Sequence, residues 1–235
     1  MNEKIKISEN QNVYKPLNAD NNNMNPGDPQ GLPDESFFDD TLVFIDAGFL
    51  SKLSKHFGGG KYILYDLINF SRSLAKRQKL KCKKIFYYTA PPFLSPKPST
   101  DEIKRKKDYD NFLSAMKKYP DFIIREGRCQ RLKIDGKFEY CQKGVDTLMI
   151  MDLMDMLIDY VEIKKIFLIA TDSDFVPIIK KLKERKVSTI LYTYYEKGRK
   201  AIFSTSNELI QSADRYILLA KSDFTSCPLN KKEKN

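Results

Sequence analysis

Histidine is almost absent from this sequence, and that scarcity removes whole classes of chemistry. The one histidine in 235 residues is His56. Ser-His-Asp and Cys-His catalysis would both hang on it, and no serine or cysteine sits in a nucleophile-elbow motif. The four cysteines, Cys82, Cys129, Cys141 and Cys227, include no Cys-x-x-Cys pair, so the usual zinc spacings are missing. No apolar run approaches the ~18 residues that cross a bilayer. The first 25 residues are polar throughout, without the apolar stretch of a secretory leader. These absences predict a cytoplasmic chain with reduced thiols and no membrane span. Any hydrolytic chemistry left to it rests on carboxylates and a metal.

Charge, by contrast, is plentiful and unevenly placed. Lysine and arginine number 41 against 31 acids, a net charge of +10. Residues 1–40 hold three lysines and eight acids, a net of −5 that leaves +15 on residues 41–235. A folded part that basic implies a polyanionic partner, most simply nucleic acid. The competing reading gives the lysines to solubility alone.

Composition also sets the organisation. Residues 21–29 run Asn-Asn-Asn-Met-Asn-Pro-Gly-Asp-Pro, too polar to offset their ordering entropy by burial. The chain therefore divides into a disordered acidic tail over 1–38, a folded domain over 39–221 and a basic tail over 222–235. Apolar runs at 41–46, 84–89, 122–125, 165–170 and 187–192 fit strands of a buried parallel sheet. Helical spacing runs through Leu64, Leu67, Ile68 and Leu74, then over 101–118, over 145–160 and, after the fourth strand, from near 175 to about 185. Short helices near 200–206 and 208–212 and a short strand at 216–219 close the series.

Asp135-Gly136, between 128–133 and 137–142, is the strongest short hairpin signal. With Ile134 opposite Lys137, Cys129 faces Gln142 and Cys141 faces Gln130. The two thiols then point to opposite faces, which predicts no disulfide. The helix over 145–160 is apolar nearly all round, which predicts burial on two sides, under other helices or in a homodimer contact. Strands alternating with helices predict an α/β class: a single Rossmann-like domain, its mainly parallel central sheet covered by helices on both faces, plus a small hairpin.

In open α/β sheets, sites lie beyond the carboxyl ends of the strands, where strand order reverses. In the order 3-2-1-4-5 the first and fourth strands are neighbours. Asp46 stands just past the first, and Asp172 and Asp174 just past the fourth. Asp146 opens the helix that leads into the fourth, so topology sends all four acids to one edge. Taken singly, Asp172 or Asp174 also reads as a cap for a helix beginning near Phe175, with Pro177 in its first turn. Asp146 also reads as a complement to a helix dipole. Asp46 gains nothing from packing. Carboxylates held together raise one another's pKa. A Mg²⁺ or Mn²⁺ ion relieves that conflict with oxygen ligands, lowers the pKa of a bound water and stabilises an in-line displacement at phosphorus.

Three segments carry a resemblance: Phe44-Ile45-Asp46-Ala47-Gly48-Phe49-Leu50, Lys143-Gly144-Val145-Asp146-Thr147 and Thr171-Asp172-Ser173-Asp174-Phe175. In that order they resemble an NYN domain of the LabA-like branch of the PIN-like nucleases, over about residues 41–220. The resemblance implies a metal-dependent ribonuclease, endonucleolytic, with Asp46, Asp146, Asp172 and Asp174 as its catalytic and metal-binding cluster. Many members place an asparagine shortly after the first aspartate; here Gly48-Phe49 stands instead. A catalytically weak RNA-binding module on the same fold is the alternative reading.

Nucleic-acid contacts fall to Lys143, at the mouth of the site, to Ser173 within the third segment, and to Tyr194, Lys197 and Arg199 beyond the fifth strand. Aromatics beside cations suit stacked, single-stranded RNA; for the tyrosines, strand-end packing is the equal alternative. Gly58-Gly59-Gly60-Lys61 does not complete a phosphate-loop motif and reads as a connector that lies after the first strand. A phosphatase using Asp46 as nucleophile would need a second aspartate where Gly48 stands.

Overall fold

The computed structural model describes residues 38–196 and 203–229. All but the last residue of the tail expected over 1–38, the segment 197–202 and residues 230–235 lie outside the described residues.

Among the described residues, eight strands and seven helices are laid down in a mostly alternating order. β1 (Asp39–Asp46) runs straight into α1 (Ala47–Phe57), and α2 (Leu67–Arg77) leads to β2 (Leu80–Thr89). α3 (Thr100–Met116) and β3 (Phe122–Glu126) follow. A hairpin of β4 (Arg128–Ile134) and β5 (Lys137–Lys143) then interrupts the alternation before α4 (Val145–Asp159). After β6 (Lys165–Ile169), a 3-10 turn at Ser173–Phe175 enters α5 (Val176–Glu184) and β7 (Ser188–Thr193). α6 (Asn207–Ser212), β8 (Arg215–Leu218) and α7 (Lys221–Thr225) complete the chain.

The main sheet has the order β3-β2-β1-β6-β7-β8, parallel throughout. Its first five strands reproduce the expected 3-2-1-4-5 series, and β8 adds a sixth. β1 is central because it is apolar on both faces: Leu42, Val43, Phe44 and Ile45 are all fully buried. Alternation then sorts them. Leu42 and Phe44 join the core under α4 and α5, whereas Val43 and Ile45 join the core under α1 and α2. That two-sided burial is what a parallel sheet demands of its strands.

The hairpin forms its own two-stranded sheet. Its register matches the expectation, with Ile134 opposite Lys137, Cys129 opposite Gln142 and Gln130 opposite Cys141. Asp135 (φ 49°) and Gly136 (φ 79°) both take the left-handed backbone that a two-residue hairpin turn of this type requires. The four cysteines are free.

The structure differs from the sequence reading in four places. Leu64 lies ahead of α2 and is 76% exposed, and a separate helix, α1, occupies the stretch after Asp46. Residues 203–206 are not helical; Ser206 instead caps α6. The segment after 221 is not a tail over its described length. Phe224 is fully buried and meets Phe57 and Tyr65 edge to face and Phe70 at a tilt. Finally, α4 is buried on one side only. Val145, Met149, Asp152, Leu153 and Met156 face inward, while Met151, Met154 and Ile158 stay exposed. That exposed stripe is the surface on which the homodimer expectation rests. Among the described residues, no helix is long and apolar enough to cross a membrane.

Candidate active site

The reversal of strand order falls between β1 and β6, and the acids gather at its carboxyl edge. Ile45 pairs with Ile169, so Asp46 emerges beside the segment that leads to Asp172. Asp46 does two jobs at once. It ends β1, and its Oδ1 accepts from the backbone N–H groups of Gly48 at 2.8 Å and Phe49 at 3.2 Å. It is therefore the N-cap of α1, a role the sequence reading did not give it. Asp172 likewise caps the 3-10 turn, accepting from the Asp174 N–H at 2.9 Å. The cap expected for a helix beginning near Phe175 falls instead on this turn, and α5 itself has no side-chain cap. Asp146 stands in the first turn of α4, whose start is set by Gly144 at φ 79°.

These acids open on a cleft of about 1020 Å³ lined by Asp46, Asp146 and Asp172. Burial pushes the Asp46 carboxyl up from its ordinary range. The Phe49 and Gly48 donors pull it down, and the negative charge of Asp146 pushes it up again. Asp146 is also raised, first by burial and then by repulsion from Asp172 and Asp174. Crowded acids of this kind are an electrostatic conflict inside a strongly basic domain.

The remaining expected residues fall less neatly. Asp174 is exposed beside the cleft, close enough to repel Asp146. Ser173 and Lys143 are exposed and do not line the cleft. Tyr194 is half-buried in a ring cluster, 5.7 Å from His56, 5.0 Å from Phe57 and 5.5 Å from Phe203 between centroids. Tyr192 is buried, with its hydroxyl donating to the Leu74 carbonyl at 3.2 Å. Strand-end packing thus accounts for both. Lys197 and Arg199 lie outside the described residues.

The cleft also contains residues that the sequence reading passed over, Lys52 and Lys55 from α1 and Tyr140 and Gln142 from β5. His56 and the connector glycines Gly59 and Gly60 line it as well. Lys52 is near enough to Asp46 to oppose its rise. The signal for α1 was present in the spacing of Phe49, Leu50, Leu53 and Phe57 straight after Asp46. Nothing local in the sequence points β5 at the acids. Gln142 reaches α1 so closely that a Cβ on Gly48 would stand 3.2 Å from its Oε1.

Whether these residues suit a divalent ion can be asked of the donor set. Every acidic donor is a carboxylate oxygen, the ligand type that Mg²⁺ and Mn²⁺ take. Among the described residues, however, no three His, Cys, Asp or Glu side chains close on one metal position. The four aspartates do not form a ready-made cage. A Mg²⁺ ion held by one or two carboxylates plus waters and substrate phosphates needs none, so the donors fit that weaker mode.

Fold and site together define a Rossmann-like α/β domain with an acidic cleft at its switch point. The model of the NYN domain matches residues 40–220. The chain belongs to the NYN-domain family, one of the PIN-like nuclease families. No curated protein matches it. Among solved structures, a Vibrio parahaemolyticus protein of unknown function shares 14% identity, covering 80% of this chain and 97% of its own, with a TM-score of 0.49.

Proposed function

We propose that this chain is a Mg²⁺- or Mn²⁺-dependent endoribonuclease of the LabA-like branch, acting on RNA in the cytoplasm. The observation that carries the reading is the crowding of Asp46, Asp146 and Asp172 around one cleft at the β1/β6 switch point in a chain whose residues 41–235 carry a net charge of +15. Asp46, Asp146, Asp172 and Asp174 supply the metal's oxygen ligands, one or two at a time. A bound ion of this class lowers the pKa of a water and neutralises charge on a phosphate. The chain's own part is positional. The Gly48 and Phe49 N–H groups fix the Asp46 carboxylate, and the Asp174 N–H fixes that of Asp172. Lys52 offers a cation beside Asp46 where a substrate phosphate would approach.

The deciding experiment incubates the purified protein with end-labelled single-stranded RNA in Mn²⁺ or in EDTA. Cleavage is expected only with metal. Asp46→Asn and Asp172→Asn should each reduce it by ~10²-fold or more, since a metal-held nucleophile is worth several kcal/mol. The second reading is a binding module with weak or no catalysis. It is favoured by the lack, among the described residues, of three side chains closing on one metal position, and it expects RNA binding without metal-dependent cleavage.

A further inference from the structure

The hairpin is more than an insertion. On β5, Phe138, Tyr140 and Gln142 alternate onto one face, and across the ladder Arg131 pairs with Tyr140 and Lys133 with Phe138, on that same face. The Arg131 guanidinium lies 4.7 Å from the Phe93 ring centroid and 4.4 Å from that of Phe138. Phe93, from the β2–α3 connection, also meets Tyr140 at 5.7 Å between centroids. These cation–ring and tilted ring contacts hold the hairpin's aromatic face in place. Yet Tyr140 is still 51% exposed, and it lines the same cleft as the aspartates.

An exposed, pinned aromatic ring in a nuclease cleft has a natural complement in an unpaired base. The other flank supplies two lysines and a histidine. Lys52, Lys55 and His56 are spaced i, i+3 and i+4, which puts them on one face of α1, and all three line the cleft. His56 is held there by Glu196 at 3.1 Å.

We propose that Tyr140 is a base-stacking platform for single-stranded RNA, with the Lys52, Lys55 and His56 face of α1 taking the adjoining phosphates. The proposal rests on the ribonuclease reading but concerns binding, so it survives or falls separately. The substrate it selects is unpaired. A duplex keeps its base faces stacked and offers none to the ring.

The test uses the Asp46→Asn full chain in EDTA, so that no cleavage intrudes, with a fluorescent oligoribonucleotide of about 12 nucleotides. Tyr140→Ala should weaken binding ~5-fold to ~100-fold, the range expected for losing one base–aromatic stack. Tyr140→Phe should bind as the parent does. Tyr140→Leu, which keeps apolar contact with Phe93 but has no flat ring, should lose as much as Tyr140→Ala, so a merely loosened hairpin is not mistaken for lost stacking. An abasic strand of equal length should bind the parent and Tyr140→Ala proteins equally, and so should the duplex. The proposal is overturned if Tyr140→Ala and the parent bind the base-bearing strand alike, or if the abasic strand shows the same drop. If the parent binds RNA but wild type never cleaves it with metal, the catalytic reading fails and the platform stands. If the parent binds no single-stranded RNA, the platform falls, and the cleavage assay with Mn²⁺ alone decides the catalytic reading.

Discussion

At the scale of single residues, the gathering of Asp46, Asp146 and Asp172 at one cleft was legible because topology, not local sequence, places them. Any acid just past the first and fourth strands of such a sheet must reach the switch point. What was not legible is their second employment. Asp46 and Asp172 are caps as well as cleft acids, and a cap is visible only once the helix start is known. This dual role shapes the expected effect of neutralising them. Asparagine can still accept the backbone N–H groups at a cap position while removing a charge that repels Asp146. The Asp46→Asn/Asp172→Asn double variant should therefore melt in EDTA at the wild-type temperature or above it. It should also lose most of the rise that Mn²⁺ gives wild type, because an ion stabilises only the state that binds it. Thermal scans with and without Mn²⁺ check this, and an undiminished metal response would put the ion elsewhere. Gly127 gives a second residue-scale expectation. A Cβ there would stand 2.5 Å from the Lys143 carbonyl oxygen, a backbone atom with little room to move. Gly127→Ala should cost about 1–3 kcal/mol, the usual range for overpacking, measurable by urea unfolding.

Among the elements, the hairpin and α4 teach opposite lessons. The hairpin was readable to the residue because Asp135-Gly136 fixes the turn, and a fixed turn fixes every pair outward from it. For α4, composition misled. A helix rich in Leu, Ile and Met reads as buried all round, yet its inward face carries Asp152, 9% exposed, while Met151 is 54% exposed. The reason is a partner from elsewhere. Asp152 accepts from Arg125 on β3 at 2.9 Å and 3.0 Å, and from the Tyr88 hydroxyl on β2 at 2.8 Å. No local pattern announces an acid whose partners lie 27 and 64 positions away. The contact ties α4 to two strands of the sheet, so Asp152→Ala should be costly. Removing one member of a fully buried pair costs ~3–5 kcal/mol. The Arg125 side chain is 46% exposed, so water can recover part of its solvation, and about 1–3 kcal/mol is expected here. Chemical denaturation of Asp152→Ala against wild type reads it, and Asp152→Asn, which can still bond Tyr88, should lose less.

Over the whole molecule, the charge asymmetry set the partner class before any contact was visible. Phosphate binding releases condensed counterions, and for a single strand log K falls with log salt at roughly −0.7 per contact. With three or more contacts, affinity for single-stranded RNA should drop ~10-fold or more between about 50 and 200 mM salt. Titrations by fluorescence anisotropy at several salt concentrations check it; a flat response would remove phosphate contacts from the account. The sheet order was equally legible, since parallel strands joined by helices leave few arrangements. The docking of α7 was not, because a five-residue helix (Lys221–Thr225) with one buried ring carries too little periodicity to stand out from a basic tail.

The central position of β1 also bears on how the molecule is made. Thr41 Oγ1 donates to the Lys165 carbonyl at 2.9 Å across 124 positions of sequence, and it lies on the same flank where β6 closes on β1. During synthesis, β1 can take β2 as a neighbour early but must wait for β6. In the interval its apolar residues Leu42, Val43, Phe44 and Ile45 lie along an open strand edge, a template for the wrong chain. Such long-range parallel pairing is slow, because loop-closure entropy is lost before the contact forms. Refolding from denaturant should give less native protein as concentration rises, with the loss set by how long β1 stands without β6.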